Sequence, residues 1–484
     1  MSSNKLIRLI RTLSGQEWHR FFDFVSSPYF NKKKKLSQLA TYLQQYVGDW
    51  ENEALANPQI SRNLFPNQPY DPQRIRDLNS FLYRLLRKFL AIEATANSVE
   101  EESLIFLQQL TRRGAKDLYQ IEKKALEKRI AKIPYRDEAW LRMNLSLAEC
   151  DNDHFGHQWV RTFDDSLHRK LKNLDAYYLA VKLRESCEVL NRKNILNTDA
   201  ALPLMPEIRL MLSEADHAFR QIPVINVYYH IFLTLAEPEE ATCYHDLLEV
   251  LEHTFQLFSP EEVRAMYKYA QNYCIRRINQ GKQEWIQELF ELYQRLLSNQ
   301  VILYNSELAH TDFKNIVTVG LRFKAYEWVE SFLETYKERI IPPHGANVYQ
   351  YSLAAFYAET DRKQAAIRLL QAIKFTDIHY QISARHLLIR IYFESRDFDG
   401  LMYQINSFRH FLIRNKEMPT ENRTNHLNFL KVAKKLCALA DKYQFLAERV
   451  RQQRIQKILL QMQTLDIMAN RSWLEEQLEQ LGQK

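Results

Sequence analysis

Leu353-Ala-Ala-Phe-Tyr357-Ala-Glu-Thr-Asp361-Arg-Lys-Gln-Ala365-Ala366-Ile-Arg-Leu-Leu370 is the stretch whose reading decides the fold. Apolar residues recur at three- and four-residue spacing up to Tyr357, give way to a short polar run around Asp361, and resume at Ala365. That pattern predicts two helices joined by a tight turn. Ala365 and Ala366 are small, so the second helix can approach closely the end of the first, where the bulky Tyr357 sits.

The same order of features recurs on either side. Downstream lies Leu388-Ile-Arg-Ile-Tyr392-Phe-Glu-Ser-Arg396-Asp-Phe-Asp-Gly400. Upstream, Asn272 through Trp285-Ile286 can be laid over Val319-Gly320 through Trp328-Val329. Trp285, Trp328, Ala365 and Gly400 then fall at equivalent positions, 43, 37 and 35 residues apart. A hairpin repeat of this length resembles the tetratricopeptide family, whose period is ~34 residues. The resemblance covers residues 262–415 and, more weakly, 136–260. It implies an all-α, tetratricopeptide-like α-solenoid of stacked hairpins that displays a surface to another protein. Trp285 and Trp328 depart from the family pattern, because they stand where it places a small residue.

The rest of the chain reads as helix too. Apolar spacing of three and four continues almost throughout, and no alternation is long enough for a sheet. Ser14 with Glu17 forms a capping-box signature, Asp71-Pro72 a cap followed by proline, and Ser259-Pro260-Glu261-Glu262 a third helix start. Four segments are expected: a basic helical region over 1–110, irregular hairpins over 111–261, tetratricopeptide-like repeats over 262–415, and capping helices over 416–484. Ser27-Pro-Tyr29-Phe30-Asn31 and Leu64-Phe65-Pro-Asn-Gln-Pro-Tyr70 give the first region its character. In this combination it is similar to the amino-terminal region of a bacterial family of unknown activity, which implies a cytoplasmic setting.

Composition excludes several enzyme classes. The nine glycines of the 484 residues are never closer than 25 positions apart. A Walker A loop, a G-x-G-x-x-G fingerprint and a G-x-S-x-G elbow each need neighbouring glycines, so none is present. Cys150, Cys187, Cys243, Cys274 and Cys437 are odd in number and widely spaced within apolar patterns, which predicts buried thiols rather than a disulfide framework. No apolar stretch reaches the ~20 residues that span a bilayer, so no membrane insertion is expected.

Charge is concentrated at one end. Residues 1–90 hold 14 Lys and Arg against 7 Asp and Glu, which accounts for the whole net charge of +7. Lys32, Lys33, Lys34 and Lys35 form a run, and Arg74, Arg76, Arg84, Arg87 and Lys88 lie largely off the apolar side of the helix opened by Pro72. The functional reading is a patch for nucleic acid or an acidic partner; the bland reading is a solvated face.

Metal-like spacings also occur: Glu214/His217, Glu307/His310, the series His245/Glu249/His253, and Asp151-Asn-Asp-His154-Phe-Gly-His157, which reads as a polar loop. Two Glu-x-x-His matches are close to chance, and three residues over two helical turns spread across ~12 Å. No catalytic, cofactor or metal residue is assigned. The leading expectation is a non-enzymatic protein-interaction scaffold, with nucleic-acid or ribonucleoprotein binding and a helical metalloprotein as alternatives.

Overall fold

A computed structural model describes residues 4–96, 98–157, 164–196, 201–343, 345–373, 377–415, 418–465 and 467–483. Among them every regular element is a helix, apart from isolated bridges at Tyr304–Glu307 and Leu308–Ile340. No helix among the described residues is long and apolar enough to cross a membrane. The chain divides into two compact units, one formed mainly by Met1–Val189 and Asp199–Tyr229, the other mainly by His230–Phe255 and Ser259–Lys484.

The first unit contains α1 (Lys5–Ile10), α2 (Gly15–Ser26), α3 (Lys34–Gln44), α4 (Asn57–Leu64) and α5 (Pro72–Ala96). It continues with α6 (Val99–Arg112), α7 (Lys116–Lys132), α8 (Glu138–Gly156), most of α9 (Ser166–Leu196) and α10 (Met205–Leu212). The unit boundary falls within α9 and again within α11 (Pro223–Ala236). The sequence-predicted starts are built as expected. Ser14 Oγ accepts from Glu17 N while Glu17 Oε2 accepts from Ser14 N at 2.7 Å, and Asp71 Oδ1 accepts from Gln73 N at 2.9 Å. One core joins Phe21 and Val25 of α2 to Leu39 and Leu43 of α3 and to Ile75, Leu82 and Leu86 of α5. Burying each such side chain contributes about 1.5–3 kcal/mol.

The second unit contains α12 (Ala241–Thr254), α13 (Pro260–Asn279), α14 (Trp285–Ser298), α15 (His310–Arg322), α16 (Tyr326–Tyr336) and α17 (Gly345–Glu359). It ends with α18 (Lys363–Ala372), α19 (Ile378–Glu394), α20 (Phe398–Arg414), α21 (Thr420–Lys442), α22 (Glu448–Gln463) and α23 (Arg471–Gly482). From α12 to α22 each helix packs on its successor, and α15, α17 and α19 pack on one another in turn. Neighbours in sequence are thus neighbours in space.

The four segments aligned in sequence end their first helices in the same way. Gly281, Lys324, Asp361 and Arg396 have left-handed backbone, with φ of 90°, 61°, 59° and 56°. Each lies four residues before its aligned position at Trp285, Trp328, Ala365 or Gly400. The next amide reaches back to the helix: Lys282 N to Arg277 O (3.1 Å), Ala325 N to Gly320 O (3.0 Å), Arg362 N to Tyr357 O (2.9 Å) and Asp397 N to Tyr392 O (3.1 Å). These are the six-to-one hydrogen bonds of a Schellman termination, which satisfy carbonyls the helix would otherwise leave open. A fifth such turn joins α6 to α7, with Gly114 at φ 66° and Ala115 N donating to Leu110 O at 3.1 Å.

The two tryptophans in the small-residue position are accommodated differently. Trp328 packs edge-to-face on Phe290 with centroids 4.9 Å apart, and the close approach of its helix to Gly320 is made by the neighbouring Val329, whose Cγ2 would lie 2.6 Å from a methyl group there. At the downstream hairpin the sizes are reversed, since the Tyr392 ring covers Gly400 so closely that a methyl there would lie 2.7 Å from it. Trp285 instead packs edge-to-face on Tyr244 and Tyr273, each with centroids 5.1 Å away.

Candidate functional site

Three secondary-structure facts assemble the basic face of the first unit. α3 and α5 pack together, which brings the Lys32–Lys35 run beside the residues of the Pro72 helix. The run opens α3, whose first turn has neither a side-chain cap nor an acidic residue. The preceding loop is pinned: Asn31 Nδ2 donates to Val25 O at 2.9 Å, and Asn31 Oδ1 accepts from Lys33 N at 2.9 Å.

Aromatic rings hold most of these cations. Lys33 Nζ lies 3.4 Å from the Phe81 centroid, and Arg84 Cζ lies 4.4 Å from the same ring. Lys35 and Arg74 share Phe65 at 4.7 and 5.0 Å, and Lys88 lies 4.9 Å from Phe30. Lys35 Nζ also donates to Leu64 O at 2.7 Å, Arg74 to Gln68, and Arg76 Nη2 to Gln73 Oε1 at 2.8 Å. Lys32, Lys34 and Arg87 are exposed. Among the described residues Asp71, 3.7 Å from Arg74, is the one carboxylate within ion-pair distance of these nine cations. A ring fixes a cation without cancelling its charge, whereas a carboxylate would neutralise it.

Next to this face stands Tyr29, whose side chain is 82% exposed. Its ring meets Phe30 edge-on at 4.9 Å, and Phe30 stacks on Phe24 of α2 at 4.0 Å. Sequence reasoning found the cations but missed the rings that position them. The available signal was an aromatic beside each basic cluster: Tyr29-Phe30 before the lysine run, Phe65 and Phe81.

The second unit offers a groove of about 610 Å³ lined by the end of α18 and by α19 and α20. Gln371, Gln381, Arg385, Tyr403, Gln404 and Ser407 contribute polar groups to its wall. Arg385 lies 4.5 Å from the Phe411 centroid, and its buried Nε has no hydrogen-bond partner. Burial pushes its pKa down, and no carboxylate among the described residues forms an ion pair with it.

The metal-like spacings are placed otherwise. Asp151 and His154 are not in a loop but in the last turns of α8, where the helix continues because tertiary partners take their polar groups. Asp151 binds Lys123 at 2.6 Å, Arg169 at 3.4 Å and the Tyr119 hydroxyl at 2.9 Å, while His154 stacks on Tyr119 at 3.7 Å. Neither Glu-x-x-His pair lies on one helix: Glu214 and His217 fall in the turn after α10, and Glu307 precedes α15, which begins at His310. His310 Nδ1 is 2.9 Å from the Tyr380 hydroxyl. His245, Glu249 and His253 do share α12, with His253 Nδ1 bonded to Glu249 O at 2.7 Å. Among the described residues no three His, Cys, Asp or Glu side chains are grouped to hold a metal ion. All five cysteines are buried free thiols.

Comparisons with protein-family models, with curated proteins and with solved structures each give no match.

Proposed function

We propose that the chain is a non-enzymatic, cytoplasmic interaction scaffold, a degenerate tetratricopeptide-like α-solenoid that holds a protein partner on its second unit. The observation that carries this reading is the turn shared by the four successive hairpins, each closed by the same left-handed residue and the same six-to-one hydrogen bond. Repeated hairpins that contact mainly their neighbours build extended binding surfaces rather than a single enclosed cleft. The groove around Arg385 and Tyr403 supplies amide, hydroxyl and cationic groups of the kind that bind a polypeptide.

The test is capture of partners by the tagged chain from its native cells, with and without nuclease, followed by titration of the purified partner. A discrete protein retained after nuclease is expected, with affinity reduced roughly 30-fold by Tyr403→Ala or Arg385→Gln if either is a hot spot. Recovery only of proteins that vanish with nuclease, or binding indifferent to both substitutions, counts against the reading.

A further inference from the structure

The basic face of the first unit has three properties that a merely solvated face does not need. Several of its cations are placed by rings rather than by carboxylates, so they are ordered with their charge intact: Phe81 serves Lys33 and Arg84, and Phe65 serves Lys35, while Arg74 on the same ring is paired with Asp71. Its lysine run sits at the wrong end of a helix. The α3 amino terminus carries the positive end of the helix dipole, with no side-chain cap and no acid in the first turn, and Lys33 and Lys34 add to that positive field instead of offsetting it. Finally, the pinned loop before α3 holds out one almost fully exposed ring, Tyr29, braced from behind by Phe30 and Phe24.

Cations that track a phosphate backbone next to an unoccupied aromatic platform are what a single strand requires. Its phosphates meet the charges and an unstacked base lies on the ring. A duplex meets the charges but keeps its bases stacked inside, and a lipid surface has no base to offer. We propose that the loop from Tyr29 to Lys35 and the adjoining basic side of α5 form a binding site for single-stranded nucleic acid. Lys32, Lys33, Lys34, Arg84 and Arg87 contact phosphates, and Tyr29 stacks a base.

Fluorescence anisotropy on the full chain tests this with a labelled mixed-sequence 20-mer, its duplex, and anionic phosphatidylserine vesicles as alternative probes. Five phosphate contacts predict a loss of roughly 100-fold in single-strand affinity between ~50 and ~200 mM salt. Tyr29→Ser is expected to weaken single-strand binding at least fivefold at constant salt, as loss of a stacked base does. Lys32→Ala with Lys34→Ala is expected to flatten the salt dependence. Both positions are exposed, and circular dichroism checks that the variants keep their helix content. No single-strand binding at ~50 mM salt, equal affinity for the duplex, binding to the vesicles alone, or an unchanged affinity in Tyr29→Ser overturns the proposal.

Discussion

Gly320, in the last turn of α15, and Val329 of α16 approach so closely that a methyl group on the glycine would lie 2.6 Å from Val329 Cγ2, a fully buried atom of a stiff, branched side chain. Gly320→Ala should therefore lower stability by about 1–3 kcal/mol through overpacking, despite alanine's better helix propensity. Denaturant titration of Gly320→Ala, Val329→Ala and the double variant checks this. The double variant should lose less than the sum of the two, because the second deletion makes room for the first insertion.

The left-handed turns make the opposite prediction at other positions. Lys324 and Arg396 hold φ of 61° and 56° with a Cβ in the way, at a cost of ~1–2 kcal/mol each. Glycine removes that cost but loses some of the gain to its freer unfolded chain. Lys324→Gly and Arg396→Gly should each raise stability by roughly 0.5–1 kcal/mol. Gly281→Ala should lower it by a similar amount or more. Thermal unfolding distinguishes the signs, and a fall in melting temperature for both glycine variants would contradict the shared-turn geometry.

How much of this was legible follows from the range of each interaction. Ser14 with Glu17, Asp71 with Pro72, and the polar turn at Asp361 act over three or four residues, so their helix boundaries could be read directly. The cations of the basic region were equally plain, because charge is a property of composition. What escaped was long in sequence and short in space. Phe81 is far from Lys33 in the chain yet 3.4 Å from it in the fold. Asp151 resembled a loop residue because the charges that hold it in helix α8, Lys123 and Arg169, come from α7 and α9. The α6–α7 hairpin was missed because its turn carries Gly114 without the aromatic-and-small signature used for the later copies.

Asp151 is also where loss of one group should be costly. Its carboxylate is 6% exposed and receives Lys123 at 2.6 Å and the Tyr119 hydroxyl at 2.9 Å. Removing it leaves the largely buried Lys123 with only the longer contact to Glu127 at 3.6 Å and takes the acceptor from the Tyr119 hydroxyl, which places the cost towards the lower end of the ~3–5 kcal/mol typical of a stranded buried charge. Asp151→Ala should therefore destabilise the first unit strongly. Glu252→Ala, which breaks the equally short but exposed Arg295–Glu252 pair, should cost under ~1 kcal/mol. Urea denaturation of the two variants in parallel makes the comparison, and similar losses would show that Asp151 is not acting as a buried counter-ion.

A histidine pair of the second unit, His386 buried and His426 half-buried, should make stability depend on pH. His386 Nε2 lies 3.0 Å from His426 Nδ1, and Asn470 Nδ2 lies 3.0 Å from His386 Nδ1. The Asn470 amide can only donate, so the His386 proton sits on Nε2 and is donated to His426. Burial first, then His426 and Lys314, hold the His386 pKa down to about 3. The folded chain thus keeps this ring neutral at pH values where the unfolded chain, with an ordinary pKa near ~6.5, binds a proton. The linkage sign follows: the contribution is intact above ~6.5 and is progressively lost as pH falls from there towards 3, with a slope approaching about 1.4 kcal/mol per pH unit. Unfolding free energies measured between pH 7.5 and 4.5, a range of about three units across that window, should fall more steeply for the wild-type chain than for His386→Phe. Parallel profiles would mean that His386 binds its proton as readily in the folded chain as in the unfolded one, and the Asn470 side chain would then have to present its oxygen rather than its amide to Nδ1.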